Sequence, residues 1–425
     1  MTLDVFWGGL FYNSCAPLEL SLNWCTHNCA YCFANLNLPS RKAEAKKIFN
    51  FLTSYKKKTS YAAWLLQQGY PVLFSNHVDP FAVANEDLSL SILELFILKG
   101  IPFTLQTKGG RRVYDAIEMM DAPIVWYVSI ATLSEEIAKK VEPGAPTIAE
   151  RLRMVEKIIA KGHQVCVGIN PCVPDWLPNP KELTDRLKDI GVWGADTQSI
   201  HLSSTQLKNM PARGQAALGE KVLHQALYRH KHPELRQHYL ATRQAATQSG
   251  LELCSNGQGN ASDYFQPYKD LYPVRFPLYQ DFVNFCHANK KEGDAIYYEE
   301  FLSFFLPQLP DVELKTLNQH VYAMNLGVSL NGKGTDIYQS ITNYETLLEN
   351  IWQHSEISYC PVRIECFSWA ADWEMQAHGE EGWTQYLDDN DRPILIFCPS
   401  NIDNESREMF VQWEPVPHTV TLEVC

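Results

Sequence analysis

Between residues 18 and about 205, short apolar runs alternate with amphipathic helical stretches, and no other feature constrains the fold of this chain as tightly. The runs are "LELSL" (18 to 22), "PVLFS" (71 to 75), "IPFTLQT" (101 to 107), "IVWYVSI" (124 to 130), "QVCVGI" (164 to 169) and "TQSIHL" (197 to 202). They are too short for buried helices and are bounded by Gly, Pro or polar residues, so they read as six strands. The clearest helix is "TIAERLRMVEKIIAKG", with Ile148, Leu152, Val155 and Ile159 on one face, Thr147 and Glu150 as a capping box and Gly162 as a stop. A second carries Leu88, Ile92, Leu95 and Leu98 and ends at Gly100. Such alternation predicts a parallel sheet with right-handed crossovers, doubly wound or curled into a full or partial barrel. In either case ligands gather at the C-terminal strand ends.

Composition removes several alternatives. Hydrophobic residues make up 45% and charged residues 20% of the 425, as in a folded globular protein. A net charge of −13 excludes a globally basic nucleic-acid binder while leaving room for a local basic lining. Lys56, Lys57 and Lys58, the densest basic run, read as a solvated helix end. The sequence has no apolar stretch of membrane-spanning length and no signal-peptide pattern at its N-terminus, and its twelve cysteines suit a reducing compartment; a cytoplasmic location is the expectation. Beyond about residue 205 the pattern loosens into a polar helical region, a short strand "LELCS" (251 to 255), the aromatic "DYFQPYKDLY" and late strand-like runs "PILIFCP" and "HTVTLEV". Residues 1 to 255 are expected to form the main domain. Residues 256 to 425 are expected to form a C-terminal extension of unknown fold and α+β character, serving as a lid or recognition domain.

"NWCTHNCAYCFANLN", directly after the first strand, places Cys25, Cys29 and Cys32 within eight residues, with Tyr31 before the last. A structural zinc site would need a fourth ligand, and no Cys or His pair follows closely; His27, inside the loop, could not easily close the tetrahedron. A [4Fe-4S] cluster takes one thiolate per iron, so three cysteines leave one iron open to a substrate or cofactor.

CxxxCxxC with an aromatic before the third cysteine, on the loop after the first strand of an α/β chain, resembles the radical S-adenosylmethionine (SAM) superfamily. "VDPF" (78 to 81), "TKGGRRVYDAI" (107 to 117) and "VSIATLSEEIAKKVEPGAPTIAERLRMVEKIIAKGHQVCVGINPCVP" (128 to 174) further resemble spore photoproduct lyase and its DNA-repair-photolyase relatives over roughly residues 18 to 205. The resemblance implies a partial (βα)6 parallel-strand barrel. It also implies a [4Fe-4S] cluster on Cys25, Cys29 and Cys32, and SAM chelated at the open iron and cleaved to a 5′-deoxyadenosyl radical that abstracts hydrogen. Ser75, Lys108, Ser129 and Tyr31 are then the SAM-binding residues; Lys108 suits the SAM carboxylate as a point charge. Asn76, His77 and Asp79 line the same edge, with His77 a hydrogen-bonding or substrate-contact residue. A low-potential flavodoxin or ferredoxin is the implied electron donor.

The departures bear on the substrate. The lyase has a hydrogen-donating cysteine at the end of its second strand, where this chain has Phe74 and Ser75. Cys172, in the loop reading "INPCVP", is the candidate hydrogen donor instead, weighed against a small buried thiol. Cys166 reads as core, and Cys360, Cys366 and Cys398 raise the question of a second cluster without matching a spacing for one. The leading substrate expectation is a nucleic-acid base or modified nucleotide, by lesion reversal or rearrangement of a modified thymine in DNA, with "DYFQPYKDLY" as a stacking platform. The alternatives are a small molecule or peptide, and a non-catalytic metal-binding interaction module.

Overall fold

The computed structural model describes residues 11–12, 19–37 (apart from 21 and 23), 44–253 (apart from 59–62, 64–65, 68, 70, 76–77 and 229–230), 279–309, 343–353 and 367–397 (apart from 370 and 376–380). Contacts divide the chain into two compact units, Met1–Arg275 with Tyr322–Val328, and Phe276–Val321 with Ser329–Cys425.

The first unit is built on an eight-stranded sheet whose spatial order follows the chain: β1 (Phe11–Tyr12), β2 (Glu19–Leu20), β3 (Val72–Phe74), β4 (Phe103–Thr107), β5 (Val125–Ser129), β6 (Gln164–Cys172), β7 (Gly194–Ser199) and β8 (Glu252–Leu253). β1 pairs antiparallel with β2, and β2 to β8 are parallel. Sequential parallel order requires a crossover after each strand, and the intervening helices supply it. The sheet is open, so the architecture is a partial barrel.

All six expected strands form, with three corrections. The short run at 251 to 255 joins the sheet as β8, making seven parallel strands rather than six. The last of the six lies at 194–199 instead of 197–202, because Gly194 and Ala195 pair beside Cys166 and Val167. β6 runs on to Cys172, which is therefore a strand residue and not a loop residue.

The helix Ile148–Ala160 has the expected capping box, and Gly162 follows it at φ +92°. In the helix Glu86–Lys99, however, Leu98 is 78% exposed, and the buried face runs through Ser89, Ile92, Leu93 and Phe96. Phe96 sets that rotation, since its ring meets Phe74 of β3 and Phe103 of β4 at centroid distances of 6.1 and 5.4 Å. Phe74 thus belongs to the layer between sheet and helices, and its burial stabilises by about 2 kcal/mol on apolar area alone.

The opposite face of the sheet is polar. Tyr127 donates to Asp196 Oδ2 at 3.0 Å, Asn170 Nδ2 donates to Gln198 Oε1 at 3.0 Å, and Ser75 donates to the fully buried Glu19 at 3.3 Å. Residues two apart on a strand share a face, so these side chains line one surface.

In the second unit, Phe282, Tyr298, Phe301, Phe305 and Trp352 pack together from the helices Tyr279–Asn289, Tyr298–Phe305 and Tyr344–Gln353. β9 (Ala295–Ile296), β10 (Phe367–Trp369) and β13 (Leu395–Phe397) form an antiparallel sheet, and β11 (Ala371–Met375) pairs with β12 (Glu381–Gln385). The described part is α+β, as expected. "DYFQPYKDLY", "HTVTLEV", Cys360, Cys366 and Cys398 lie outside the described residues.

Gly110, in the turn before the helix Val113–Met119, meets the preceding loop so closely that a Cβ there would lie 1.8 Å from the Phe81 carbonyl oxygen. Gly110→Ala is expected to destabilise the first unit by about 3 kcal/mol, read as a lowered urea midpoint, because backbone must move to admit the methyl.

Candidate active site

The loop from Cys25 to Cys32 leaves the C-terminal end of β2 and runs into the helix Phe33–Asn37. Its own backbone supplies few of the bonds that hold it. A second loop, "VEPGAP" at 141 to 146, clasps it: Ala30 N–H donates to Val141 O at 2.8 Å, and Gly144 N–H donates to His27 O at 2.9 Å. His27 Nδ1 faces Gly144 O at 3.0 Å in return. Gly144 is needed for this approach, since a Cβ there would stand 2.3 Å from the Thr26 carbonyl oxygen.

Asp79 holds the other side. One carboxylate oxygen accepts from Phe81 N–H at 2.9 Å and Thr107 Oγ1 at 2.7 Å, and the other accepts from Lys108 N–H at 2.6 Å. The second oxygen also lies 3.1 Å from His27 Nε2, an ion-pair distance at which the ring is poorly aligned for a hydrogen bond. Burial opposes ionisation of Asp79, yet His27 and these donors together lower its pKa. One buried carboxylate thereby fixes the ends of β3 and β4 against the cysteine loop.

Tyr31, Lys108, Ser129, Glu142 and Arg151 converge beside that loop. Tyr31 donates its phenol proton to Glu142 Oε1, and its ring lies 5.6 Å from Trp176 and 5.8 Å from Lys108 Nζ. Lys108 Nζ donates to Ser129 Oγ at 2.6 Å and lies 3.4 Å from Glu142 Oε1. Arg151, 1% exposed, pairs with Glu142 Oε2 at 2.5 Å and donates to the carbonyls of Ser129 at 3.2 Å and Pro146 at 2.9 Å. Burial would raise the pKa of Glu142, but Lys108 and Arg151, with the Tyr31 phenol, bring it down to about 2. Burial works against Lys108 in the same way and is outweighed by Glu142 and Cys29, so the ammonium stays charged. Lys108 and Arg151 therefore face two buried carboxylates, Glu142 and Asp79, at this edge.

Burial pushes the Cys25 thiol up to about 12, with Asp79 and Cys32 adding to the shift, and raises Cys29 and Cys32 as well. The three thiols therefore lie within electrostatic reach of one another in a desolvated loop, where a bound metal would be needed to deprotonate them. Lys108 favours the thiolate at Cys29, and Asn35 N–H points at Cys32 Sγ from 3.4 Å. Among the described residues no three His, Cys, Asp or Glu side chains are arranged to hold a single metal ion. A cluster that takes one thiolate on each of three irons spreads its ligands more widely than one ion does, and these residues fit it.

Of the sequence-derived candidates, Cys25, Cys29, Cys32, Tyr31, Lys108, Ser129 and Asp79 are thus brought together. Ser75 stands at the end of β3, buried, between Glu19 and the backbone N–H of Val78. Asn76 and His77 lie outside the described residues. Cys172 is elsewhere. A register shift between Ile169 and Cys172 pairs it with Ser199, and its thiol meets Thr242 Oγ1 at 3.3 Å in the helix Pro233–Gln248. It is 1% exposed and turned to the helix layer rather than to the polar face. Cys166 is fully buried with Val125 and Tyr127. Sequence reasoning missed Glu142, Arg151, Gly144 and His27 as parts of the site. One signal was present: Arg151 falls between Ile148 and Leu152 on the apolar face of its helix, where an arginine needs a buried partner.

Residues 20–189 match the family model for the Radical SAM superfamily. "Uncharacterized protein ORF301" of Acidianus two-tailed virus is 28% identical over 212 residues, 43% of this chain and 69% of that protein. "Uncharacterized protein Mb2609c" of Mycobacterium bovis is 28% identical over 188 residues, 40% of this chain, and the matched part spans 54% of its length. Among solved structures, "Spore photoproduct lyase complexed with dinucleoside spore photoproduct" aligns at 15% identity and TM-score 0.45 over 59% of this chain and 80% of that one. "Crystal structure of Streptococcus suis SuiB bound to S-adenosylmethionine" aligns at 15% identity and TM-score 0.30, over 44% and 39%.

Gly144→Ala is expected to lower the melting temperature and to at least halve the iron taken up per chain on anaerobic reconstitution, because the methyl displaces the cysteine loop from its clasp. Cys172→Ala is expected to cost about 1 kcal/mol of stability, read by urea unfolding, without changing iron content.

Proposed function

We propose, from the match of residues 20–189 to the Radical SAM family model, that the protein reductively cleaves SAM at a [4Fe-4S] cluster and abstracts hydrogen from a substrate. The observation that carries the reading is the clasped three-cysteine loop lying against Lys108 and Ser129. Cys25, Cys29 and Cys32 would hold three irons and leave the fourth for SAM. When bound, the reduced cluster and SAM supply one-electron cleavage of the sulfonium and the means to remove a substrate hydrogen. Lys108 would meet the SAM carboxylate as a point charge held at the strand end. Ser129 orients the ammonium, Tyr31 carries the aromatic face beneath it, and Ser75 offers a hydroxyl at the neighbouring strand end.

The substrate we propose is a nucleic-acid base or modified nucleotide, undergoing lesion reversal or rearrangement. The motifs that resemble the photoproduct-lyase group support this, as do the half-buried carboxamides of Asn170 and Gln198 on the sheet face, which suit a polar ring edge. Cys172 would serve as hydrogen donor only if its thiol left Thr242. Recycling of the adenosyl group in an isomerase needs no such donor. A low-potential flavodoxin or ferredoxin would supply the electron. No helix among the described residues is long and apolar enough to cross a membrane.

Anaerobically reconstituted, dithionite-reduced protein is expected to convert SAM to 5′-deoxyadenosine, measured by chromatography, and Cys25→Ala, Cys29→Ala and Cys32→Ala are each expected to abolish it. Iron-loaded wild type that forms none would end this reading. For the substrate, DNA affinity should fall steeply with rising salt, as released counterions require. A flat salt response would favour a small molecule or peptide.

A further inference from the structure

Glu142 touches both halves of the site. Oε1 accepts from Tyr31, which stands between Cys29 and Cys32, and lies 3.4 Å from Lys108 Nζ at the end of β4; Oε2 pairs with Arg151. The contacts close into a ring. Glu142 reaches Lys108, Lys108 reaches Ser129 Oγ, the carbonyl of Ser129 accepts from Arg151, and Arg151 returns to Glu142. Every member except Lys108 and Tyr31 is buried, and the Lys108 side chain is only 15% exposed.

We propose that Glu142 is a positioning residue for Lys108, fixing the ammonium toward the three-cysteine loop so that it meets the SAM carboxylate in one orientation. This rests on the reading that the cysteines hold a cluster and that Lys108 contacts SAM. A lysine has four rotatable bonds and a point charge, so its direction must come from its partners. Ser129 Oγ alone gives it one hydrogen bond; Glu142 Oε1 draws it by charge from 3.4 Å, and the Tyr31 ring lies 5.8 Å away. The same carboxylate is tied to Tyr31, so the ammonium is registered against the cysteine loop itself. A purely structural role, neutralising Arg151, would require only Oε2 and would place no demand on Lys108.

Glu142→Gln keeps the shape of the side chain and an oxygen for Tyr31, and removes the charge that holds Lys108. In reconstituted full-length protein it is expected to keep its iron per chain. Its affinity for SAM, measured by equilibrium dialysis, should fall about tenfold or more, as loss of a buried ion pair that orients the ammonium implies. KM for SAM should rise in step while kcat at saturation stays within about threefold of wild type. In a Lys108→Met background the same substitution should cause no further loss of affinity, because the two side chains act as one unit. Unchanged SAM affinity in iron-loaded Glu142→Gln overturns the proposal, and so do losses that add in the double variant. Should Glu142→Gln not fold, Glu142→Asp carries the test: it keeps the charge against Arg151 but draws the carboxylate one methylene back from Lys108. Its SAM affinity should fall severalfold at constant iron content, and no fall overturns the proposal. Wild type that takes up no iron, or makes no 5′-deoxyadenosine, sinks the radical SAM reading itself, an outcome distinct from any variant's behaviour.

Discussion

The backbone clasp between the cysteine loop and the 141 to 146 loop is the constraint on which the rest of the site depends. A loop of eight residues carrying three thiols cannot specify their relative positions by its own hydrogen bonds. The two backbone bonds from Ala30 to Val141 and from Gly144 to His27, with the His27 ring returned to Gly144 O, turn it into part of a larger rigid body. A side chain at 144 would prevent the approach. The turn that makes the clasp also delivers Glu142 to Tyr31 and Arg151, so the geometry of the loop and the electrostatics beside it share one origin.

Two buried carboxylates then divide the work. Asp79 binds backbone and side-chain donors from the ends of β3 and β4 and faces His27, while Glu142 balances Lys108 and Arg151. Neither is surrounded by water, and for both the opposing charges and donors outweigh the desolvation that would otherwise neutralise them. Removing one member of such a set leaves a buried charge without compensation, which costs far more than an exposed pair contributes. Stability and function are therefore coupled at this edge of the sheet.

Much of the fold was legible because strand length and helix periodicity are local properties. The capping box at Thr147 and the stops at Gly100 and Gly162 followed directly from residue types, and each is present. Where local pattern was ambiguous, tertiary packing decided. Phe96 turned its helix so that Leu98 faces solvent, and pairing with β6 drew Gly194 and Ala195 into β7. The three cysteines were legible because their spacing is itself the signal. Their supports were not, since Glu142 matters through a contact with Tyr31 more than a hundred residues earlier in the chain, and Arg151 through Glu142. Cys172 shows the limit most clearly: a single register shift in β6 moves its thiol to the other face of the sheet, and no feature of "INPCVP" announces that.

In the proposed enzyme, the loop of Cys25, Cys29 and Cys32 leaves one coordination position for SAM beside Lys108. Electron paramagnetic resonance of the reduced, reconstituted protein tests it most directly. A [4Fe-4S]+ signal whose g-values shift when SAM is added is expected, with the shift weakened in Lys108→Met. A cluster signal that SAM leaves unchanged, or a reconstituted protein that binds zinc stoichiometrically and no iron, would contradict it.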